Sequence, residues 1–291
     1  MNIINGTTRV CGLIGNPVGH SISPLIHNKL ASLCGIDMVY TTFKVEKGAV
    51  GTAVNGAYSL DILGLNVTVP HKQEVIAALA ETDKVAEAIG AVNTLVRTDK
   101  GYKGYNTDII GLARELDEAD IKLDGSNCII LGAGGASRAI AFLCADKGAA
   151  SVNILNRTVQ KAQSIADDVN RHFNSHTVKA MALSDYDKLE KDNYIVIQTT
   201  SVGLYPDCDK AIIEDEEFYR KALVGVDIIY NPVKTKFMKL MEKQGKKSYN
   251  GLKMLLYQGV SAFELWNNIQ VTKEQAQEVY ECMKKELGIV E

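Results

Sequence analysis

The chain alternates short apolar runs of strand length with longer segments whose apolar residues recur every three or four positions. The short runs predict strands, and the helical spacing predicts helices between them. In the first hundred residues the predicted strands are 9–14, 39–45, 65–69, 92–97 and 102–105, and the predicted helices are 24–34, 50–60, 71–80 and 83–89. This alternation predicts an α/β domain with a mostly parallel sheet that ends in a hairpin.

The second half of the chain continues the alternation and adds a phosphate-binding pattern. Its predicted strands are 127–131, 151–155, 194–198, 224–230 and 246–249, and its later helices are 235–244, 252–267 and 272–287. The first of these strands leads into Gly132-Ala133-Gly134-Gly135-Ala136, and a helix follows from Arg138. This order is typical of dinucleotide-binding domains, because glycines let backbone N–H groups approach a pyrophosphate. A purely structural tight turn is the alternative.

The strand at 151–155 ends in Asn156-Arg157-Thr158, which bears on the choice of cofactor. NAD-binding domains usually have an acidic residue here that holds the ribose 2′-hydroxyl. This chain has none, and the Arg157 guanidinium suits a 2′-phosphate through charge-assisted, bidentate hydrogen bonds. We therefore predict NADP(H), with Lys161 as further positive charge. The alternative is that Arg157 is an ordinary exposed residue at a strand end.

The segment Asn66–Lys72 places a lysine just after a predicted strand. Pro70 suits the first position of a helix, which would put Lys72 in its first turn. The positive end of a helix dipole disfavours a charged ammonium, so such a lysine is suited to proton transfer. Asp108 is a second candidate, although it equally suits the N-cap of a helix over 109–116. Simple exposure of Lys72 to solvent is the alternative.

Further polar residues stand at strand ends or inside predicted elements. Ser21 and Ser23 follow the first strand, where two hydroxyls suit a polyhydroxylated ligand, although Ser23 also suits the N-cap before Pro24. Asn93 lies within a predicted strand, where its amide needs hydrogen-bonding partners. Gln258 falls in the predicted helix 252–267, where an ordinary polar position is the alternative.

Composition and charge exclude several classes of function. A chain of 291 residues is long enough for two domains, and a formal net charge of −3 argues against nucleic acid as the main partner. The six cysteines are scattered without a CxxC pattern, as in a reduced cytoplasmic protein, and no zinc-binding spacing is present. We expect no signal peptide and no membrane span, because no apolar stretch is long enough.

These motifs, taken in order, resemble the shikimate dehydrogenase family. The resemblance extends almost from end to end and rests on residues 14–17 with 21–24, 66–72, 91–94, 106–108, 132–136, 156–158, and 251–252 with Gln258 and 263–266. Two departures occur. Gln198-Thr199-Thr200-Ser201 stands where the family often has Asn-Ala-Thr-Ser, and Ile109 stands where it often has glycine. The first departure leaves the shape of the nicotinamide side open.

The resemblance implies two α/β domains with a cleft between them. Residues 1–110 with 252–291 would form a substrate-binding catalytic domain with a mostly parallel mixed sheet, and residues 111–251 a Rossmann-type NADP domain. Lys72 and Asp108 would be catalytic. The implied substrate contacts are Ser21, Ser23, Thr68, Asn93, Tyr230 and Gln258. The implied cofactor contacts are Gly132, Ala133, Gly134, Gly135, Ala136, Asn156, Arg157, Thr158 and Lys161, with Ile228 and Gly251 near the nicotinamide.

The implied activity is the reversible NADPH-dependent reduction of 3-dehydroshikimate to shikimate in the shikimate pathway of aromatic amino-acid biosynthesis. The alternatives are a quinate/shikimate dehydrogenase that uses NAD, and a non-catalytic regulator that binds NADP or shikimate. The expected partners are small molecules, without metal, nucleic acid or membrane. The sequence leaves open whether the chain is a monomer or a homodimer.

Overall fold

The computed structural model describes residues 4–289 and confirms the α/β class. The chain forms two compact units, one of Met1–Gly111 with Leu255–Glu291 and the other of Leu112–Met254. Each unit contains one six-stranded sheet. The chain passes between the units within α4 (Asp108–Glu118) and returns within α9 (Leu252–Asn267).

The first unit is built on a mixed sheet. Its strands are β1 (Arg9–Gly15), β2 (Met38–Lys44), β3 (Gly64–Val67), β4 (Glu81–Thr82), β5 (Thr94–Thr98) and β6 (Gly101–Tyr105), in the order β2-β1-β3-β5-β6-β4. Its other helices are α1 (Ser23–Cys34), α2 (Val50–Ser59), α3 (Lys84–Ile89) and α10 (Lys273–Glu286). Strand β1 is parallel to both β2 and β3, whereas β5 is antiparallel to β3 and β6. The loops after β1 and β3 therefore leave the same edge of the sheet.

The alternation of side chains along β3 separates an apolar core from a polar and aromatic layer. Leu65 packs in a core that includes Val54 of α2 and Ala86 of α3. Gly64 lies on the opposite face, where a Cβ atom would come within 2.1 Å of the Trp266 Nε1 atom of α9. Only glycine leaves room for that indole, whose N–H donates to the Leu95 carbonyl at 2.9 Å.

The second unit has an entirely parallel sheet. Its strands are β7 (Asn127–Leu131), β8 (Ser151–Asn156), β9 (Val178–Ala182), β10 (Tyr194–Gln198), β11 (Ala222–Asp227) and β12 (Lys247–Asn250), in the order β12-β11-β10-β7-β8-β9. The helices are α5 (Gly135–Asp146), α6 (Val159–Phe173), α7 (Glu216–Arg220) and α8 (Lys236–Lys243). The strand order reverses between β7 and β10, and ligands of such sheets bind at this switch point, outside the carboxyl ends of the strands.

The predicted helix over 71–80 is wrong. A 3-10 helix covers only Glu74–Ala78, and Lys72 lies in the turn before it. Pro70 also belongs to this turn, and the Val69-Pro70 peptide bond is cis. The helix is absent because of a tertiary contact. The Lys72 carbonyl accepts a hydrogen bond from the Val92 N–H at 2.8 Å, so it is not available for a hydrogen bond within a helix. The argument from a helix dipole therefore does not apply to Lys72.

Two other local predictions are also wrong by one position. Helix α1 begins at Ser23, and Ile22 occupies the N-cap position without a side-chain cap. The Ser23 N–H instead bonds to the Ser21 hydroxyl at 3.2 Å. Asn93 lies one residue before β5 rather than inside a strand, although its backbone N–H still reaches the Tyr105 carbonyl at 3.0 Å.

Within residues 4–289, no helix combines the length and the apolar character needed to cross a membrane. The same residues contain no group of three or more histidine, cysteine, aspartate or glutamate side chains arranged to hold a metal ion. All six cysteines are free thiols, and three of them are buried.

Glu115 of α4 is a buried carboxyl group, with 3% of its surface exposed. Its Oε2 atom has no hydrogen-bond partner among the described residues. Burial raises its pKa to about 8, against the smaller opposing effects of the Lys253 ammonium and the Met254 backbone N–H. Lys253 itself pairs with Glu118 at 2.6 Å, and that second carboxylate disfavours ionisation of Glu115 further.

We expect the free energy of unfolding of the wild type to fall relative to that of Glu115→Gln as the pH rises. The native carboxyl keeps its proton up to about pH 8, whereas an unfolded glutamate loses it near pH ~4.3, so native protein binds more protons in between. At about 1.4 kcal/mol per pH unit, the loss between about pH 5.5 and 8.5 is roughly 3 kcal/mol. Urea unfolding of both proteins measures it. If the free energies of unfolding of the two proteins changed with pH in the same way, the pKa of Glu115 would not be raised in the folded protein.

Candidate active site and cofactor site

Lys72 and Asp108 form a direct ion pair in the first unit. The Lys72 Nζ atom lies 2.7 Å from Asp108 Oδ2, and the two side chains retain 20% and 9% of their exposure. A short, charge-assisted hydrogen bond in a partly buried place is stronger than an ordinary surface ion pair. The pair therefore fixes an ammonium group, which is a proton donor, while part of it stays accessible to a ligand.

Asn93 holds the second oxygen of the carboxylate. Its Nδ2 atom donates to Asp108 Oδ1 at 2.8 Å, and its own Oδ1 accepts from the Thr107 backbone N–H at 2.7 Å. A backbone N–H can only donate, so the Asn93 oxygen must face Thr107 and its nitrogen must face Asp108. Each carboxylate oxygen of Asp108 thus has its own donor.

Backbone hydrogen bonds connect the segments that carry these side chains. The Val92 N–H donates to the Lys72 carbonyl, which places the lysine beside the residue before Asn93. Asn106 bridges the remaining gap, because its Nδ2 donates to the Ala91 carbonyl at 3.0 Å and its Oδ1 accepts from the Asp108 N–H at 3.1 Å. Three sequence motifs that are far apart along the chain therefore build one cluster.

The two serines contact each other in the loop after β1. The Ser21 and Ser23 hydroxyls are 3.1 Å apart, and the Ser23 side chain is buried whereas Ser21 is half-buried. Ser21 N–H bonds to the Val18 carbonyl, which shapes the loop. Two adjacent hydroxyls can both donate to the same anionic group.

Thr68 lies directly beside the start of this loop. The Thr68 N–H donates to the Ile14 carbonyl at 2.9 Å, and the Asn16 N–H donates to the Val69 carbonyl at 3.0 Å. A Cβ atom on Gly15 would lie 2.3 Å from Thr68 Cγ2, so glycine is required for this close approach. The loop with the serines and the segment with Lys72 therefore begin side by side.

The other two predicted substrate contacts lie in different units. Gln258 is half-buried on α9, where its Nε2 donates to the Leu255 carbonyl at 2.9 Å, and the next residue, Gly259, packs closely against Ile26 of α1. Tyr230 belongs to the second unit and follows β11. Burial raises the pKa of its phenol, which therefore stays neutral.

The glycine loop of the second unit begins directly after β7. Gly132 has a φ of +114°, and a Cβ atom there would lie 2.7 Å from Thr199 Oγ1, so both conformation and space require glycine. Gly134 is exposed, and nothing lies within 4 Å of the place where its Cβ would be. The backbone at the start of α5 is therefore open to an anionic ligand, as pyrophosphate binding requires.

Ser137 and Thr199 explain how this chain tolerates its departures from the usual motifs. Ser137 occupies the last position of the G-x-G-x-x-G pattern that begins at Gly132, where dinucleotide-binding loops usually have glycine. It is fully buried, and its hydroxyl accepts from the Gly134 N–H at 3.0 Å. The Thr199 hydroxyl lies 2.7 Å from the Ser137 hydroxyl and donates to the Leu131 carbonyl at 2.7 Å. The two hydroxyls therefore brace the glycine loop.

Arg157 stands exposed at the end of β8. Among residues 4–289 its guanidinium makes no ion pair, whereas the nearby Arg138 is bound to Asp168 at 2.6 Å. Arg157 borders a groove of about 470 Å³ that is also lined by Leu183, Tyr186, Ile213 and Glu214 among others. Asn156 donates to the Thr158 carbonyl at 2.9 Å, and Lys161 is exposed on the first turns of α6. This end of β8 therefore offers positive charge that is not already neutralised.

Ile228 and Gly251 approach each other closely near the ends of β11 and β12. A Cβ on Gly251 would lie 2.2 Å from the Ile228 carbonyl oxygen. Asp227, which precedes them, is buried and accepts from Thr235 Oγ1 at 2.6 Å, the Ile229 N–H at 3.0 Å and Gln198 Nε2 at 3.3 Å. Burial raises the pKa of Asp227 to about 6, against these three hydrogen bonds.

Several buried polar residues around the sites were not predicted. Asn66, Thr94 and Thr107 lie behind Asn93 and are each at most 5% exposed. In the second unit, Gln198 donates a buried hydrogen bond to Asp227, which joins the ends of β10 and β11. One sequence feature could have identified such residues: a polar side chain within an apolar strand, as in Leu65-Asn66-Val67. A buried polar side chain needs hydrogen-bonding partners.

Comparison with known proteins places these features in one family. Three family models match the chain: the shikimate dehydrogenase substrate binding domain at residues 13–95, shikimate / quinate 5-dehydrogenase at 112–232, and the shikimate 5′-dehydrogenase C-terminal domain at 251–278. A relative from Caldanaerobacter subterraneus subsp. tengcongensis, a shikimate dehydrogenase (NADP(+)), is 42% identical over 289 residues, which are 98% of this chain and 99% of the relative.

Two solved structures have the same fold over nearly their whole length. A shikimate dehydrogenase in complex with NADP+ is 39% identical, with a TM-score of 0.88 and 97% of each chain covered. A shikimate 5-dehydrogenase from Listeria monocytogenes in complex with shikimate and NAD is 31% identical, with a TM-score of 0.88 and coverage of 97% of this chain and 99% of the other. With such identity over nearly its full length, the chain belongs to the shikimate dehydrogenase family.

Proposed function

We propose that the chain catalyses the reversible, NADPH-dependent reduction of 3-dehydroshikimate to shikimate. The observation that carries this proposal is the Lys72–Asp108 ion pair, braced by Asn93, in a member of the shikimate dehydrogenase family. Reduction of a ring ketone needs a group that supplies a proton to the oxygen as negative charge develops on it. An accessible ammonium held by a carboxylate is such a group.

Lys72 is the general acid in this proposal. Its ammonium donates a proton to the alkoxide oxygen in the direction of reduction, and the neutral amine takes a proton from the hydroxyl in the reverse direction. Asp108 holds the Lys72 side chain in place, because the two groups are 2.7 Å apart. Asn93 keeps the second carboxylate oxygen engaged, so Asp108 cannot rotate away from the lysine.

Hydroxyl and amide groups recognise the rest of the substrate. Ser21 and Ser23 bind the substrate carboxylate, because their adjacent hydroxyls can both donate to it. The ring hydroxyls are bound by the polar side chains of Thr68, Asn93, Tyr230 and Gln258. The first unit is the substrate-binding catalytic unit in this proposal.

The second unit provides a fitting site for NADP. The open backbone at Gly134 and the start of α5 suits the pyrophosphate, and the unpaired Arg157 guanidinium suits the 2′-phosphate. Asn156, Thr158 and Lys161 lie at the same end of β8 and complete the ribose side, while Ala133, Gly135 and Ala136 complete the loop. Ile228 and Gly251, whose backbones approach each other closely, are the proposed contacts of the nicotinamide. When bound, NADPH supplies the hydride.

Initial rates with shikimate and with quinate, each measured against NADP and NAD, test the proposal. We expect turnover of shikimate with NADP, and a preference for NADP over NAD of roughly 10–150-fold, the value of one charge-assisted hydrogen bond. Comparable rates with quinate and NAD would instead indicate a quinate/shikimate dehydrogenase. Binding of NADP without any turnover would indicate a sensor, for which the Lys72–Asp108 pair would have no use.

A further inference from the structure

We infer that Tyr40 and Thr94 are positioning residues for the proposed reaction, joined through Asn66 into one buried hydrogen-bond chain that leads to Asn93 and Asp108. This inference rests on the proposed function, because it assigns the buried residues that orient the same site. The chain runs from Tyr40 past Asn66, Thr94 and Asn93 to Asp108.

The directions of the hydrogen bonds around Asn66 are fixed by a neighbouring group that can only accept. Asn66 Nδ2 lies 3.3 Å from the Asn93 backbone carbonyl, which can only accept, so the Asn66 nitrogen faces that side. The Asn66 oxygen must then face Tyr40, whose hydroxyl donates to it at 2.8 Å. The same Asn66 nitrogen donates to Thr94 Oγ1 at 3.1 Å.

Thr94 passes this orientation on to Asn93. Because its oxygen already accepts from Asn66, the single Thr94 hydroxyl proton can be donated to Asn93 Oδ1 or to Thr107 Oγ1, each 3.1 Å away. The Thr107 N–H donates to the same Asn93 oxygen at 2.7 Å, and the Thr107 hydroxyl lies 3.2 Å from it. This group of donors around one oxygen holds the amide so that its nitrogen faces Asp108.

Tyr40 forms the fixed end of the chain. It is 2% exposed, and its ring stacks on His27 of α1 with a centroid separation of 4.2 Å. The ring also lies tilted against Trp266 of α9, with a centroid separation of 6.0 Å. Burial lowers the pKa of His27 to about 3, so this ring is neutral and adds no charge to the chain. The tyrosine hydroxyl therefore cannot swing away from Asn66. Burial holds the pKa of the Tyr40 phenol well above its usual range, so the hydroxyl keeps the proton that it donates to Asn66.

Removal of either hydroxyl should loosen Asn93 and so lower turnover. In Tyr40→Phe the Asn66 oxygen loses its donor, and in Thr94→Val the Asn93 oxygen loses the neighbouring Thr94 hydroxyl. We expect kcat to fall roughly 5–50-fold in each variant, as expected when catalytic groups are positioned less well. Thr94→Ser keeps the hydroxyl and should restore at least half of the wild-type kcat.

Tyr102→Phe is the matched control. Tyr102 is a buried tyrosine of the same sheet, 1% exposed, and its hydroxyl donates to the Ile62 carbonyl at 2.6 Å without reaching Asn93. Its loss should lower the midpoint of thermal unfolding as much as Tyr40→Phe does, while kcat stays within twofold of the wild type. A purely structural role for Tyr40 would make these two variants behave alike.

A double-mutant cycle decides the inference. On an Asn93→Ala background, Tyr40→Phe and Thr94→Val should lower kcat by less than twofold, because they act through Asn93. Full losses on that background, or wild-type kcat in both single variants, would overturn the inference while leaving the proposed function intact. Absence of shikimate turnover in the wild type would instead refute the proposed function.

Discussion

Lys72→Ala is expected to lower kcat for shikimate oxidation roughly 10²–10⁴-fold, the usual contribution of a general acid or base. The effect on KM should be small, because the serines and the amides bind the substrate in this account. The reason for the loss is chemical: alanine lacks the amine that exchanges a proton with the substrate oxygen in this account. Steady-state kinetics of the purified variant, with circular dichroism to check folding, measure this effect.

Two further lysine variants separate proton transfer from simple loss of charge. Lys72→Arg keeps a cation beside Asp108, but a guanidinium does not release its proton, so kcat should stay low. Lys103→Ala removes a comparable half-buried lysine of the same unit, which pairs with Glu81 at 2.5 Å, and kcat should not change. Turnover of Lys72→Ala within threefold of the wild type would exclude Lys72 as the acid.

Arg157→Ala should weaken NADP binding by about 1.5–3 kcal/mol, or roughly 10–150-fold in Kd, the value of a hydrogen bond to a charged group. NAD binding should hardly change, because NAD lacks the 2′-phosphate that this guanidinium is proposed to hold. Isothermal titration of both cofactors compares the two. The exposed position of Arg157 argues that the loss is one of binding alone, without a change in stability.

Arg171→Ala provides the control for general electrostatics. Arg171 is an exposed arginine of the same unit, and it is already engaged with Asp168 at 2.9 Å. Its removal changes the net charge equally and should leave both Kd values as they are. Equal weakening of NADP and NAD by Arg157→Ala would contradict the assignment of the 2′-phosphate to this residue.

The sequence predicted those parts of the fold that depend on local chemistry. The helix predicted over 83–89 forms as α3, which begins one residue later at Lys84 because Asp83 caps it through the Val85 N–H. Helix α9 begins and ends where its apolar spacing predicted, from Leu252 to Asn267. Such features involve neighbours within a few residues, so the pattern contains them.

The sequence did not predict parts that depend on distant partners. Pro70 is typical of a helix start, but this segment forms a turn. The Lys72 carbonyl accepts a hydrogen bond from the Val92 N–H, twenty residues later, instead of one within a helix. Ser23 looked like a cap, but Ser21 bonds to its N–H instead. In both places the predicted helical or capping hydrogen bond is replaced by another one. The pattern of neighbouring residues does not predict the replacement.

The candidate site was predicted by its motifs, and its supporting residues were not. Lys72, Asn93 and Asp108 could be named from the sequence, and the structure shows the contacts among them. Tyr40 and Thr94 are ordinary strand residues by type, and only the geometry shows their hydroxyls directed toward the amides of Asn66 and Asn93. A role that consists of orientation has no signature in a single sequence.

Transfer of deuterium from the cofactor to the substrate tests the central claim most directly. The wild-type protein is incubated with 3-dehydroshikimate and NADPH deuterated at both C4 positions, and the product is identified by proton NMR. The account predicts shikimate that carries deuterium on the carbon of the former ketone, with an equal amount of NADP+ formed. Unchanged 3-dehydroshikimate, or shikimate without deuterium at that carbon, would contradict it.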